Sequence, residues 1–132
     1  MSVVKVVAVA VLAVLLVGCN GGTVDRHALT NDASTIDSIN CEAWLLSRAV
    51  AEGRTTSPFA SEQSGALRVQ ASNLADALRV RPTGPGLRRG VRAKAADAAR
   101  LAAQLRELHA HPGDRGQARQ LARRFKTAGK CT

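Results

Sequence analysis

Beyond residue 34 the apolar positions recur at about 3.6-residue spacing in four successive stretches, each bounded by a turn signal. In the first, about 35–52, Ile36, Ile39, Ala43, Leu46 and Val50 follow one another at intervals of 3, 4, 3 and 4. Cys41, Trp44 and Leu45 lie off that stripe, so this helix is apolar around much of its circumference and is expected to be the most buried. Ser34-Thr35-Ile36-Asp37 resembles a capping box with Asp in place of Glu, and Gly53 stands where a helix-ending glycine belongs. A second helix opens at Ser57-Pro58, carries Phe59, Leu67, Ala71, Leu74 and Leu78, and stops at Pro82. Thr83-Gly84-Pro85-Gly86 reads as a turn. The third, about 86–110, presents Leu87, Val91, Ala95, Ala98, Leu101, Leu105 and Leu108 before His111-Pro112-Gly113. Asp114 with Gln117 caps a shorter fourth helix, with Ala118, Leu121, Ala122 and Phe125 inward and Arg119, Arg123, Lys126 and Lys130 outward. Four amphipathic helices on short loops predict an all-α, antiparallel four-helix bundle.

The first eighteen residues follow another rule. Val6 to Val17 contains only Val, Ala and Leu behind a short segment with one positive charge, Lys5. Twelve residues are too few to span a bilayer, which takes about 20, but suit the apolar region of a secretory signal. Leu16-Val17-Gly18-Cys19 resembles the lipobox of bacterial lipoproteins. The resemblance is confined to residues 1–22 and implies cleavage before Cys19 and acylation of its thiol. It also implies export and lipid anchoring on the outer face of the cell membrane. Asn20 is not the Asp that resembles an inner-membrane retention signal, which leaves an outer membrane open as the destination. The expected organisation is a signal peptide (1–18), a lipidated flexible tether (19–33) and a bundle domain (34–132).

Export changes the meaning of the other two cysteines, Cys41 and Cys131. Disulfides persist outside the cytoplasm, and one pair allows one connectivity. Two cysteines ninety residues apart do not fit a zinc-ligand spacing. In an up-down-up-down path the start of the first helix and the end of the fourth share one end of the bundle, so a Cys41–Cys131 bridge suits the fold. A mature chain of 114 residues has a feasible but marginal core that such a staple would reinforce.

Charge separates the two halves. Residues 19–78 hold four arginines against seven acids, whereas residues 79–132 hold fourteen Lys or Arg against three acids. Arg79, Arg81, Arg88, Arg89, Arg92 and Lys94 surround the turn between the second and third helices. Three of them fall in the first turns of the third helix, where the helix dipole disfavours positive charge. The same path places that turn, Lys126 and Lys130 at the tethered end. Arg79, Arg81, Arg88, Arg89, Arg92, Lys126 and Lys130 are therefore the candidate contacts for an anionic lipid surface, a wall polymer or an acidic protein.

Catalytic patterns are not found. The chain has no Gly-x-Ser-x-Gly, His-Glu-x-x-His or phosphate-loop motif, and no tyrosine. His27 falls in the expected tether. His109 and His111 are two residues apart and point in different directions on a helix. The expectation is a non-enzymatic binding protein with no cofactor and no metal. Phe59, Phe125 and Trp44 all read as core, which leaves no stacking platform and argues against nucleic acid. Two other roles fit the same pattern: a carrier of a small apolar ligand in the bundle interior, and an exclusion or inhibitor lipoprotein.

Overall fold

Each of the four stripes lies on a helix in the computed structural model, which describes residues 22–132. The expected signal peptide, lipobox and Cys19 lie outside the described residues. The helices are α1 (Arg26–Ala51), α2 (Ser57–Val80), α3 (Arg88–Ala110) and α4 (Arg115–Gly129). None is long and apolar enough to cross a membrane. The pairs α1–α4 and α2–α3 pack most closely, α1 and α3 also touch each other, and α2 and α4 do not approach. The bundle is thus flattened, with α1 and α3 on its short diagonal.

The core follows the stripes. Ile36, Ile39, Ala43, Leu46 and Val50 of α1 meet Leu67, Ala71, Leu101, Leu105, Leu108, Ala118, Leu121 and Phe125, all buried. Alanines at Ala43, Ala60, Ala71, Ala98 and Ala118 let the backbones come close, and Phe125 on the short α4 is the largest side chain fully enclosed. One expected core position is corrected. Phe59 is 51% exposed, because the stripe of α2 runs through Ala60, Ser64 and Leu67 and leaves Phe59 about one position off it. Leu45 is 56% exposed, so α1 has an open face despite its apolar girth.

The expected start of the first helix is also corrected. α1 begins at Arg26, where Asp25 caps it by accepting from the Ala28 N–H at 2.8 Å. The stretch read as tether is therefore helical from residue 26. Ser34 lies inside the helix and forms no capping box; its carbonyl accepts from Ser38 Oγ at 3.0 Å. The reason is tertiary. Val24 is fully buried, and it packs with Leu29, Leu78, Val91 and Ala95 in a second, smaller core. Val24 just before the cap and Leu29 just after the first turn have the spacing of a hydrophobic staple. The Val24 N–H donates to Pro82 O at 2.7 Å, and its carbonyl accepts from the Gly84 N–H at 3.0 Å. The chain joins the bundle clamped to the α2–α3 turn.

Cys41 and Cys131 lie at bonding distance, with Cα atoms 5.5 Å apart. The longer α1 puts this bridge at mid-helix rather than near the helix start. Gly129 makes the approach feasible, since a Cβ there would stand 2.8 Å from Asn40 Cβ and 2.9 Å from both sulfurs. Lys130 then takes the left-handed conformation (φ 54°) that turns the chain back towards α1.

Two buried serines behave differently. Ser64 Oγ donates to Ala60 O at 2.6 Å, whereas Ser47 Oγ is buried without a partner among the described residues. A buried unpaired hydroxyl costs about 1–3 kcal/mol. Ser47→Ala is accordingly expected to stabilise the fold by about 1 kcal/mol, read as a higher urea midpoint with an unchanged slope. A lower midpoint would mean the hydroxyl is satisfied in solution.

Candidate anion-binding site

The α2–α3 turn combines restricted prolines with permissive glycines. Pro82 ends α2, Gly86 adopts φ +75°, and the Leu87 N–H donates to Gly84 O at 3.3 Å. α3 then starts without a side-chain cap. Asp25, Thr56 and Asp114 cap α1, α2 and α4, but the cap position of α3 is Leu87, with no acid in the first turn. The amides of Arg88, Arg89 and Gly90 belong to the first turn, which has no intrahelical acceptor for them.

Three of the expected arginines converge there. Arg79 near the end of α2 and Arg88 and Arg92 on successive turns of α3 line a cleft of about 280 Å³. Leu78, Val91 and Ala95 form its apolar floor and Thr83 lies at its rim. Arg79 has Asp76 at 3.4 Å in an exposed pair. Arg88, Arg89 and Arg92 pair with no carboxylate among the described residues. Each positive charge at a helix N-terminus costs about 0.3–1 kcal/mol, and like charges at i,i+4, as at Arg88 and Arg92, about 0.2–0.5 more. Helix stability does not select this arrangement.

The other expected basic residues are placed elsewhere. Arg89 is exposed on the same first turn but does not line the cleft. Arg81 turns towards α1, where its guanidinium lies 3.6 Å from the shielded Asp32 Oδ2 and its Nε donates to Gly22 O at 3.2 Å. Lys94 pairs with Asp97 at 3.4 Å. Lys126 and Lys130 are not at the clamped end. α4 ends beside Cys41, fifteen residues into α1 and so about 20 Å along its axis. Lys126 Nζ sits 5.3 Å from the centre of the Trp44 ring. Lys130 lines a separate mixed-charge cleft with Asp37, Asp97 and Arg100. Basic residues at the far end are differently disposed, since Arg48 and Arg54 share Glu52. The Arg48 hydrogen bond (3.2 Å) and the nearby Arg54 hold that carboxyl below its usual range.

His109 has a structural contact. Its Nδ1 lies 2.7 Å from the Ser61 carbonyl, which only accepts, so this nitrogen carries the proton. It therefore does not serve as a base for Ser61 Oγ at 3.3 Å, and the contact ties α2 to α3. His111 is the exposed residue that ends α3. Among the described residues no three His, Cys, Asp or Glu side chains converge as metal ligands would.

Val24 and Thr83 are the participants that sequence reasoning missed. The Val24–Leu29 staple spacing was the available signal for the first; Thr83 carries none. Comparison with known proteins finds no matching family model, no matching curated protein and no matching solved structure.

Proposed function

We propose that this chain is a membrane-anchored envelope lipoprotein with a non-enzymatic binding role, whose basic end contacts an anionic surface or partner. One observation carries the reading: the arginine cleft opens at the end of the bundle where the chain joins it, beside the Val24 clamp. Gly22, which accepts from Arg81, is three residues from Cys19, a reach of at most about 11 Å. With a lipid on Cys19, the clamp leaves the domain a short leash instead of a fifteen-residue tether. Attraction to anionic headgroups falls off within a Debye length of about 8–10 Å, so closeness decides whether the arginines act. A lipid chain and a basic patch together make a stable two-signal anchor.

The test keeps the lipid constant. The full chain in detergent is offered a mixture of neutral and anionic vesicles, and the detergent is removed. The apolar anchor favours both populations alike, so the partition ratio isolates the basic end. At about 1 kcal/mol per arginine, replacing Arg88, Arg89 and Arg92 by Gln should reduce the preference for anionic vesicles on the order of 100-fold. An unchanged ratio sinks the surface-contact reading.

A further inference from the structure

We propose that the Arg79–Arg88–Arg92 cleft is a phosphomonoester site, taking a doubly charged terminal phosphate with its first carbon atoms. The inference deepens the proposed function and rests on its reading of the basic end as the binding end. Three features of the cleft support it.

The first is donor chemistry. Among the described residues, the polar side chains lining the cleft are Arg79, Arg88, Arg92 and Thr83, and no carboxylate or amide lines it. Guanidinium groups only donate. A sugar or peptide would leave its own donors facing these donors. A fully ionised phosphate presents acceptors alone, in the geometry that planar guanidinium forks grip bidentately.

The second is charge. Arg88 and Arg92, unpaired among the described residues, and Arg79, shared with Asp76, are joined by the positive end of α3, equivalent to roughly half a charge. A phosphomonoester carries about −1.5 to −2 near neutral pH, while a carboxylate carries one charge. A phosphodiester headgroup also carries one, so the monoester matches the cleft better. It would also supply the negative charge that the first turn of α3 lacks.

Shape is the third. At about 280 Å³ the cleft is at the small end of the range that holds small molecules, which suits one headgroup and not a polymer. The floor of Leu78, Val91 and Ala95 offers apolar surface to the carbon side of an ester. Arg81, occupied with Asp32 and Gly22, does not line the cleft.

The experiment uses the full chain and two measurements. In detergent, inorganic phosphate and a short-chain phosphatidic acid are titrated while the amide signals of residues 88–90 are followed by NMR. In vesicles, partition is compared between phosphatidic acid and phosphatidylglycerol at matched surface potential. Both ligands should shift the same amides. Phosphatidic acid vesicles should be preferred by about tenfold or more, the worth of an added charge-assisted hydrogen bond. Arg88→Gln with Arg92→Gln should abolish that preference, while Arg123→Gln on α4 should leave it. Tighter binding of the lipid than of inorganic phosphate identifies a headgroup as the source; equal binding identifies free phosphate. Arg88→Glu provides the fold control, since it should raise the melting temperature while eliminating phosphate binding. Equal partition between the two lipids with unmoved amides overturns the site. If the arginine-dependent preference for anionic over neutral vesicles then persists, only the phosphomonoester inference has failed. If phosphate shifts the amides but anionic vesicles are not preferred, it is the surface-contact reading that falls.

Discussion

Replacing both bridging cysteines, Cys41→Ser with Cys131→Ser, is expected to lower the melting temperature by roughly 15–25 °C. The bridge closes a loop of sequence separation 90, worth about 4–5 kcal/mol in the chain-entropy model. Architecture makes the loss specific. α4 rests chiefly on α1, touches α3 lightly and does not approach α2. It has fifteen residues, five of them basic and none acidic, which is marginal for an isolated helix. The reduced protein should therefore loosen first at α4. Trp44, the only tryptophan and the ring beneath Lys126, reports that event directly. Its fluorescence should change at lower denaturant than the helical signal of α2 and α3. A melting temperature that drops by only a few degrees would mean that side-chain packing alone docks α4.

Phe125→Ala should cost about 3–5 kcal/mol in the oxidised protein. Phe125 is fully buried and is the largest side chain α4 contributes to the main core. The rest of that contribution is small: Ala118 and Leu121. Helix α4 has few other groups with which to fill the void, so collapse around it is limited. Urea denaturation should show a lower midpoint, and Phe125→Leu should recover much of it. Because ring and disulfide secure the same α1–α4 seam, their combined loss should depart from additivity. A loss below about 1 kcal/mol would place the ring outside the packed seam.

How much of this was legible in the sequence depends on distance along the chain. The stripes of α1, α3 and α4 and the Asp114 cap are local signals, and they identify buried residues correctly. Cys41–Cys131 was legible because the lipobox resemblance set Cys19 aside and left one pairing. The first ten residues of α1 were not, since they are mostly polar and exposed and have no stripe. What holds them is Val24 under the turn, the Asp32–Arg81 pair and Leu29 against Gly90, whose absent Cβ would lie 3.2 Å away. Phe59 misled because its hydrophobicity outweighed its phase, and Ala60 holds the core position.

The candidate site divides in the same way. Arg88 and Arg92 share a helix face by spacing alone, and Arg79 lies just across a short turn. Arg81 looked equivalent until its partner, forty-nine residues earlier, took it out of the group. Lys126 and Lys130 were assigned to the wrong level because helix lengths, not helix order, decide where α4 stops. Order along a bundle can be read from loops, but height along it needs the true start of α1.

The Val24 clamp also sets how the protein carries load. Tension applied at Gly22 enters the fold directly. It reaches the Arg81–Gly22 contact and then the two backbone hydrogen bonds that hold Val24 to Pro82 and Gly84, which share it between them. Part of the force passes into the α2–α3 turn before α1 is pulled along its axis, and the disulfide carries α4 with α1. The Gly22–Val24 segment is thus a mechanical mount for all four helices.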